Sequence, residues 1–552
     1  MKIKNIVWLC ASVVLAVQAA EAAGQTNFNV RAFGAVGNGT NLDSPAINQA
    51  IEACAKSGGG TVLIPAGTYL SGSIRLKSNI HLLIDAGAVI LGAPQAMNAY
   101  DEAEPFAGPA YQDGGHTYFH NSLIWGENLT NVFISGNGMI NGGALSRGDG
   151  NEDQRSGLNA SGRGSSPRGN MGTNFPPARL GGGGGFAGAR GTNFPPGRAS
   201  GPGRPGGANS QPDRLGNKAI ALKLCKNVLI RDVTIFHGGH FAILVTGCDN
   251  MTIDNVTIDT DRDGMDIDCC RNTMVSNCRV NSPNDDGICP KSTYALGRPV
   301  IEENLTIVNC QVSGFEEGTL LDGTMRQGRG RNGRIKFGTE SSGGFRNCTI
   351  DNCTFRGCKG LALEEVDGGI LENITIKNIS MMDVASYPIY ITTGKRNRTP
   401  NLTTSSRMRN ILISNIIATG VDSASGIQIA GLPEQPIEGL RLENIRLIFN
   451  GGGTAQQAAQ VPPELGTGYP EPRGIMPAYG LFARHVKGLE LANINLSFMK
   501  DDFRPAIECV DVNGLEIDNF KAQLATGVAA SKFDNVSGLV IRNSPVLDKA
   551  GN

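Results

Sequence analysis

The sequence predicts an all-β fold, a single-stranded parallel β-helix, and three observations carry that prediction. Glycine is abundant at 75 residues while aromatics make up only 6%, a composition that suits a turn-rich chain better than a helical bundle. A nine-residue pattern recurs eleven times, among them "NVLIRDVTI" at 227, "NMTIDNVTI" at 250, "NTMVSNCRV" at 272, "NLTIVNCQV" at 304, "NCTIDNCTF" at 347 and "GLVIRNSPV" at 538. The nearest copies lie 23, 22, 26 and 24 residues apart, and a fixed period of that length marks a solenoid.

Within each copy, with few exceptions, apolar residues hold the second and fourth places and then the seventh and ninth. The period-2 alternation therefore shifts phase at the fifth and sixth places. A strand that changes phase must bend, or its apolar side chains would leave the core. The sixth place is Asn in ten copies and Asp in the other, and Asn both tolerates a left-handed corner and bonds to an identical Asn stacked above it. Each copy reads as one coil, with neighbours about 4.8 Å apart.

The cysteines follow the same register. Cys278, Cys310 and Cys353 take the seventh place, and Cys225, Cys248 and Cys270 each lie two residues before a copy. They read as small buried hydrophobes stacked coil on coil, at a spacing that rarely suits a relaxed disulfide. No pair has the close two-plus-two spacing of a zinc site.

Taken in chain order, residues 1–22 read as a cleaved signal peptide. Lys2 and Lys4 precede an apolar run from Ile6 to Ala19, and "AAEAAG" follows. The run is too short for a membrane span, so a secreted or periplasmic protein is expected. Residues 23–143 form the N-terminal part of the β-helix. Inside it, "SPAINQAIEACAKSGGG" from Ser44 predicts a capping helix, with Pro45 in the first turn, Ile47, Ile51 and Cys54 on one face and a Gly stop. Such a helix would cover a strand edge that otherwise invites aggregation. Residues 144–215 contain "GTNFPP" twice among Gly, Arg, Ser and Pro runs and read as a solvated low-complexity insertion. Residues 216–552 form the main β-helix, in which "PPELGTGYPEPRGIMPAYG" from Pro462 is a surface loop and a candidate cleft wall. A formal charge of −1 with 18% charged residues gives no reason to expect a nucleic-acid partner.

The stretch "VNSPNDDGICPKS" at 280–292 holds two adjacent carboxylates, Asp285 and Asp286. Asp-Asp-Gly alone reads as a turn. Counting five residues past each repeat, however, gives His240, Asp263, Asp285 and Glu317, an ionisable column on four coils. Like charges about 5 Å apart repel, and repulsion raises the pKa of one member. One protonated carboxyl beside ionised ones is the division of labour that acid–base cleavage of a glycosidic bond requires. Backbone spacing alone leaves inversion and retention both open.

At these residues the sequence resembles glycoside hydrolase family 28, the polygalacturonases and rhamnogalacturonan hydrolases. The resemblance lies in "DRDGMDID" at 261–268, "NDDGICPKS" at 284–292 and "FGTESSGGFRNCTIDNCTF" at 337–355, and in the opening "FNVRAFGAVGNGTNLDSPAINQAI" with "GGTVLIPAGTYLSGSI". It runs from about Phe28 to Leu524 apart from the insertion, and it implies a right-handed helix. It also implies that Asp285 is the general acid, that Asp263 and Asp286 hold and deprotonate the attacking water, and that the product inverts. No metal or organic cofactor is implied, and the implied partner is a pectic polysaccharide met by a monomer. The family's Gly-His-Gly is replaced by "RNG", Arg331 to Gly333. Its Arg-Ile-Lys position holds Ala362, Leu363 and Glu364, while a literal "RIK" at Arg334–Lys336 lies one coil early. Candidate substrate contacts are therefore His240, Lys291, Asn332, Arg334, Lys336 and Glu364, alongside structural readings of His240 and Lys291. The neighbouring Glu317, Glu364 and Glu365 suit a neutral sugar better than a uronate. Two further readings are a Ca²⁺-dependent polysaccharide lyase and a glycan-binding β-helix without activity.

Overall fold

The computed structural model describes residues 27–106, 114–147, 215–467, 470 and 475–547. The signal peptide, nearly all of the 144–215 insertion and part of the 462–480 segment lie outside the described residues.

Short parallel strands return to the same position one coil later. Val228 pairs with Met251 and Met251 with Thr273, while Ile235 pairs with Ile258 and Ile258 with Val280. The repeat places thus stack as the spacing predicts. Val228, Ile230, Val233 and Ile235 all point into one continuous apolar core, and the same places in later coils join it.

Each repeat holds two left-handed corners where the pattern predicts one. The sixth-place residues, from Asp232 (φ 64°) through Asn378 (φ 58°) to Asn543 (φ 52°), are left-handed. So are the first-place residues, which are Asn from Asn227 to Asn410 and Gly from Gly439 to Gly538. Side-chain amides bond along both columns. Asn373 Nδ2 donates to Asn347 Oδ1 at 3.0 Å, Asn373 Oδ1 accepts from Asn410 Nδ2 at 2.7 Å, and Asn415 Nδ2 donates to Asn378 Oδ1 at 2.9 Å. The twelve cysteines of the described residues are free and buried.

A helix spans Ser44–Lys56, with Pro45 in its first turn and Ile47, Ala50, Ile51 and Cys54 buried. It packs on the strands Asn27–Asn29 and Gly60–Ile64 of the first coils. A separate sheet carries the candidate site. It stacks Ile124–Glu127, Lys218–Lys223, Phe241–Thr246, Asp263–Asp268 and Ile288–Lys291. A bridge from Ile288 to Ile335 continues the stack into Lys336–Phe337, Leu361–Glu365 and Ile389–Thr393.

Candidate active site

Asp263 opens its strand, and Asp285 and Asp286 lie in the turn before the next one. Gly264 N donates to Asp286 O at 3.0 Å and Met265 N to Gly287 O at 2.9 Å, so Asp263 is level with Asp286. The even count that placed Asp285 in this position is corrected by one residue. Asp259 pairs with Asn281, yet the corner after Asn281 is one residue longer than the corner after Asp259. His240 is likewise displaced, because Phe241 is the residue that pairs with Asp263. Glu317 is not in the column at all; it lies in a loop, 3.0 Å from His237 Nδ1. The close approach of the two coils needs Gly264, where a Cβ would lie 2.3 Å from Gly287 O.

The three aspartates nevertheless converge. Each offers a carboxylate oxygen within 4.8 Å of the others. Three cations face them. Arg262 Nη2 lies 2.9 Å from Asp285 Oδ2 and 3.7 Å from Asp263 Oδ2. Arg334 Nε donates to Asp286 Oδ1 at 2.8 Å, and Lys336 Nζ donates to Asp286 Oδ2 at 2.9 Å. Arg334 also donates to the Tyr387 hydroxyl.

These surroundings separate the proton affinities. Burial pushes Asp263 well above the usual carboxylate range, and the negative charges of Asp285 and Asp266 add to it. Burial acts on Asp286 in the same sense, but Lys336, Arg334 and Lys291 outweigh it and hold that carboxyl well below its ordinary value. Asp286 is therefore the ionised member. Asp263 is the member that burial and its acidic neighbours favour in the protonated form.

The remaining predicted contacts find partners inside the chain. Arg334 and Lys336 are buried on Asp286 instead of facing an open subsite, and Glu364 is buried 3.8 Å from Arg334. Lys291 is also buried, 2.8 Å from Glu340 and 3.8 Å from Asp266. Asn332 N donates to Pro283 O in the turn that carries Asp285. His240 stacks on Phe241 with ring centroids 4.1 Å apart. Sequence reading passed over Arg262 as a partner of the aspartates, although it precedes Asp263 directly. It also missed a buried chain of charges: His116 Nε2 is 2.8 Å from Asp266, and Arg396 reaches Glu340 at 3.1 Å and Asp367. His116 and Asp266 are 150 residues apart, so no local motif announces the contact.

Comparisons with known proteins agree with this fold. A family profile described as rhamnogalacturonase A/epimerase, pectate lyase-like, matches residues 27–160, and one described as right-handed beta helix region matches 218–452. A probable polygalacturonase of Vitis vinifera is 37% identical over 116 residues, 20% of this chain and 23% of that protein. An exo-poly-alpha-D-galacturonosidase of Dickeya chrysanthemi is 38% identical over 73 residues, 13% of this chain and 12% of that protein. The chain thus spans less than a quarter of the length of these curated relatives. Short stretches of an alginate lyase and of mannuronan C5-epimerases from Azotobacter vinelandii match as well. The solved family 28 exopolygalacturonase of Yersinia enterocolitica superposes with a TM-score of 0.57 at 16% identity, covering 93% of this chain and 78% of that one. Profile and superposition together identify the fold as a right-handed β-helix, similar to that of the solved exopolygalacturonase.

Proposed function

We propose that the protein is an exported glycosidase that hydrolyses a pectic polysaccharide, galacturonan or a rhamnogalacturonan-like polymer. The observation that carries this reading is the convergence of Asp263, Asp285 and Asp286, with the proton affinities of Asp263 and Asp286 driven apart. Asp285, the most exposed of the three carboxyl groups, donates a proton to the leaving glycosidic oxygen as the C–O bond breaks. Asp286, held ionised, orients the attacking water and accepts its proton, and Asp263 shares that work. Inversion follows from the family resemblance. The nearest carboxylate oxygens are closer than the roughly 6.5–9.5 Å between carboxyl groups of inverting pairs, so the anomer released is the informative product. We read the Ser44–Lys56 helix as the cover of the first coil, and residues 1–22 as the export signal.

The lyase reading is the alternative that three clustered carboxylates invite, since they could hold Ca²⁺. Here Arg262, Arg334 and Lys336 already compensate their charge and would repel a divalent cation. The test is incubation with defined pectic fractions in EDTA, followed by reducing-end assay and anomeric NMR. Hydrolysis predicts new reducing ends and no unsaturated, ultraviolet-absorbing product. A product absorbing in the ultraviolet, or activity abolished by EDTA, would refute it.

A further inference from the structure

The outer face of the site-bearing sheet is closed on either side of the aspartates, and opens only farther off, at Trp125 and Arg75 of its first strands. Register defines one outward row that runs Ala221, Leu244, Asp266, Cys289, and, past the bridge to Ile335, Lys336, Ala362, Tyr390, Gln428 and Phe482. Every member is at most 2% exposed. In the next outward row, Thr246, Asp268, Lys291, Glu364, Thr392 and Arg484 are buried too.

Identified segments do the covering. On the N-terminal side of the aspartates, His116 sits on Asp266 and Phe119 packs with Ala221 and Leu244. On the other side, Arg396 lies on Glu340 and Asp367, Tyr390 donates to Pro470 O, and Arg484 donates to Pro462 O at 2.8 Å and Pro463 O at 2.7 Å. Among the described residues, the side chains beside the aspartates that reach solvent lie where the strands begin. There the side chains of Asp285, Arg262 and Asp261 are 26%, 20% and 18% exposed, while Asp263 behind them is 5% exposed.

A polymer that is cut internally must leave the site in two directions, and the natural track along a β-helix is its outward rows. Those rows are filled with packed side chains on both sides of Asp263. We propose, on the reading that this site hydrolyses glycans, that it is a blind pocket entered at the Asp261–Asp285 edge, which takes a terminal sugar and cleaves from a chain end. Cleavage adds water across one terminal glycosidic bond and releases the capping sugar or a short oligosaccharide with each turnover.

The experiment uses the full chain on polygalacturonan, on rhamnogalacturonan and on oligomers of both labelled at the reducing end, with Asp285→Asn as the control for cleavage at this site. Reaction is followed by size-exclusion and anion-exchange profiles and by viscosity against reducing ends. The expected result is one small product from the earliest times, a polymer peak that stays at high mass, viscosity that falls slowly, and labelled oligomers that shorten by a single step from one end. An early ladder of intermediate sizes with a steep viscosity loss overturns chain-end cleavage and leaves hydrolysis standing. No new reducing ends from any substrate overturns the hydrolase reading, and this inference with it.

Discussion

Lys336 and Arg334 hold Asp286 ionised against a burial that would otherwise protonate it. Removing one cation raises the pKa of the remaining carboxylate. Lys336→Met is therefore expected to move the acidic limb of the kcat/KM profile to higher pH, and a limb that does not move would detach Asp286 from the reaction. The same contact stabilises the fold. A carboxyl whose pKa is depressed contributes stability that is present above its unfolded value and is lost as pH falls through the folded one. Arg334→Met breaks a fully buried pair and is expected to cost about 3–5 kcal/mol, read from the denaturant midpoint. The trio itself was legible in the sequence as residue types at coil spacing. The surrounding cations were not, because "RIK" looks like a displaced recognition motif until the register sets it beside Asp286.

At the scale of the coil, a positive φ at the first and sixth places makes the two corners of each repeat. Asn373 (φ 57°) belongs to the first-place column, which changes from Asn to Gly in the last four copies. The change keeps the backbone conformation and gives up the side-chain ladder, so conformation is the stronger demand. Asn373→Gly and Asn373→Ala lose the same two amide bonds, but only Ala is strained. The expected order of stability is wild type, then Gly, then Ala, with the last step about 1 kcal/mol by denaturant unfolding. Equal losses would mean that the amide ladder, not the corner, selects Asn. The phase shift at the fifth and sixth places made one corner readable in advance. The first corner was missed because no hydrophobic position marks it, although the run of Asn followed by Gly was a usable signal. The helix at Ser44 was legible from Pro45 and its apolar face, which are local features. The one-residue lengthening before Asp285 was not, since nothing in a single turn shows how it aligns with the coil below.

For the whole molecule, stacking brings residues from distant coils into one charge-compensated site. Three carboxylates facing three cations require no metal for neutrality. Activity is therefore expected to survive EDTA, and restoration by added Ca²⁺ after chelation would contradict that. The period and the phase shift were enough to predict the β-helix, because they are repeated in every coil. How the outer face is covered was not readable, since His116, Arg396 and Arg484 reach it from segments with no periodicity. The most direct measurement is reducing-sugar release from defined pectic polymers by the wild-type chain and by Asp285→Asn, with folding of the variant verified by circular dichroism. A proton donor contributes roughly 10²–10⁴-fold to such a reaction, and a rate loss of that size in the folded variant is the predicted result. An unchanged rate in folded Asp285→Asn would contradict it.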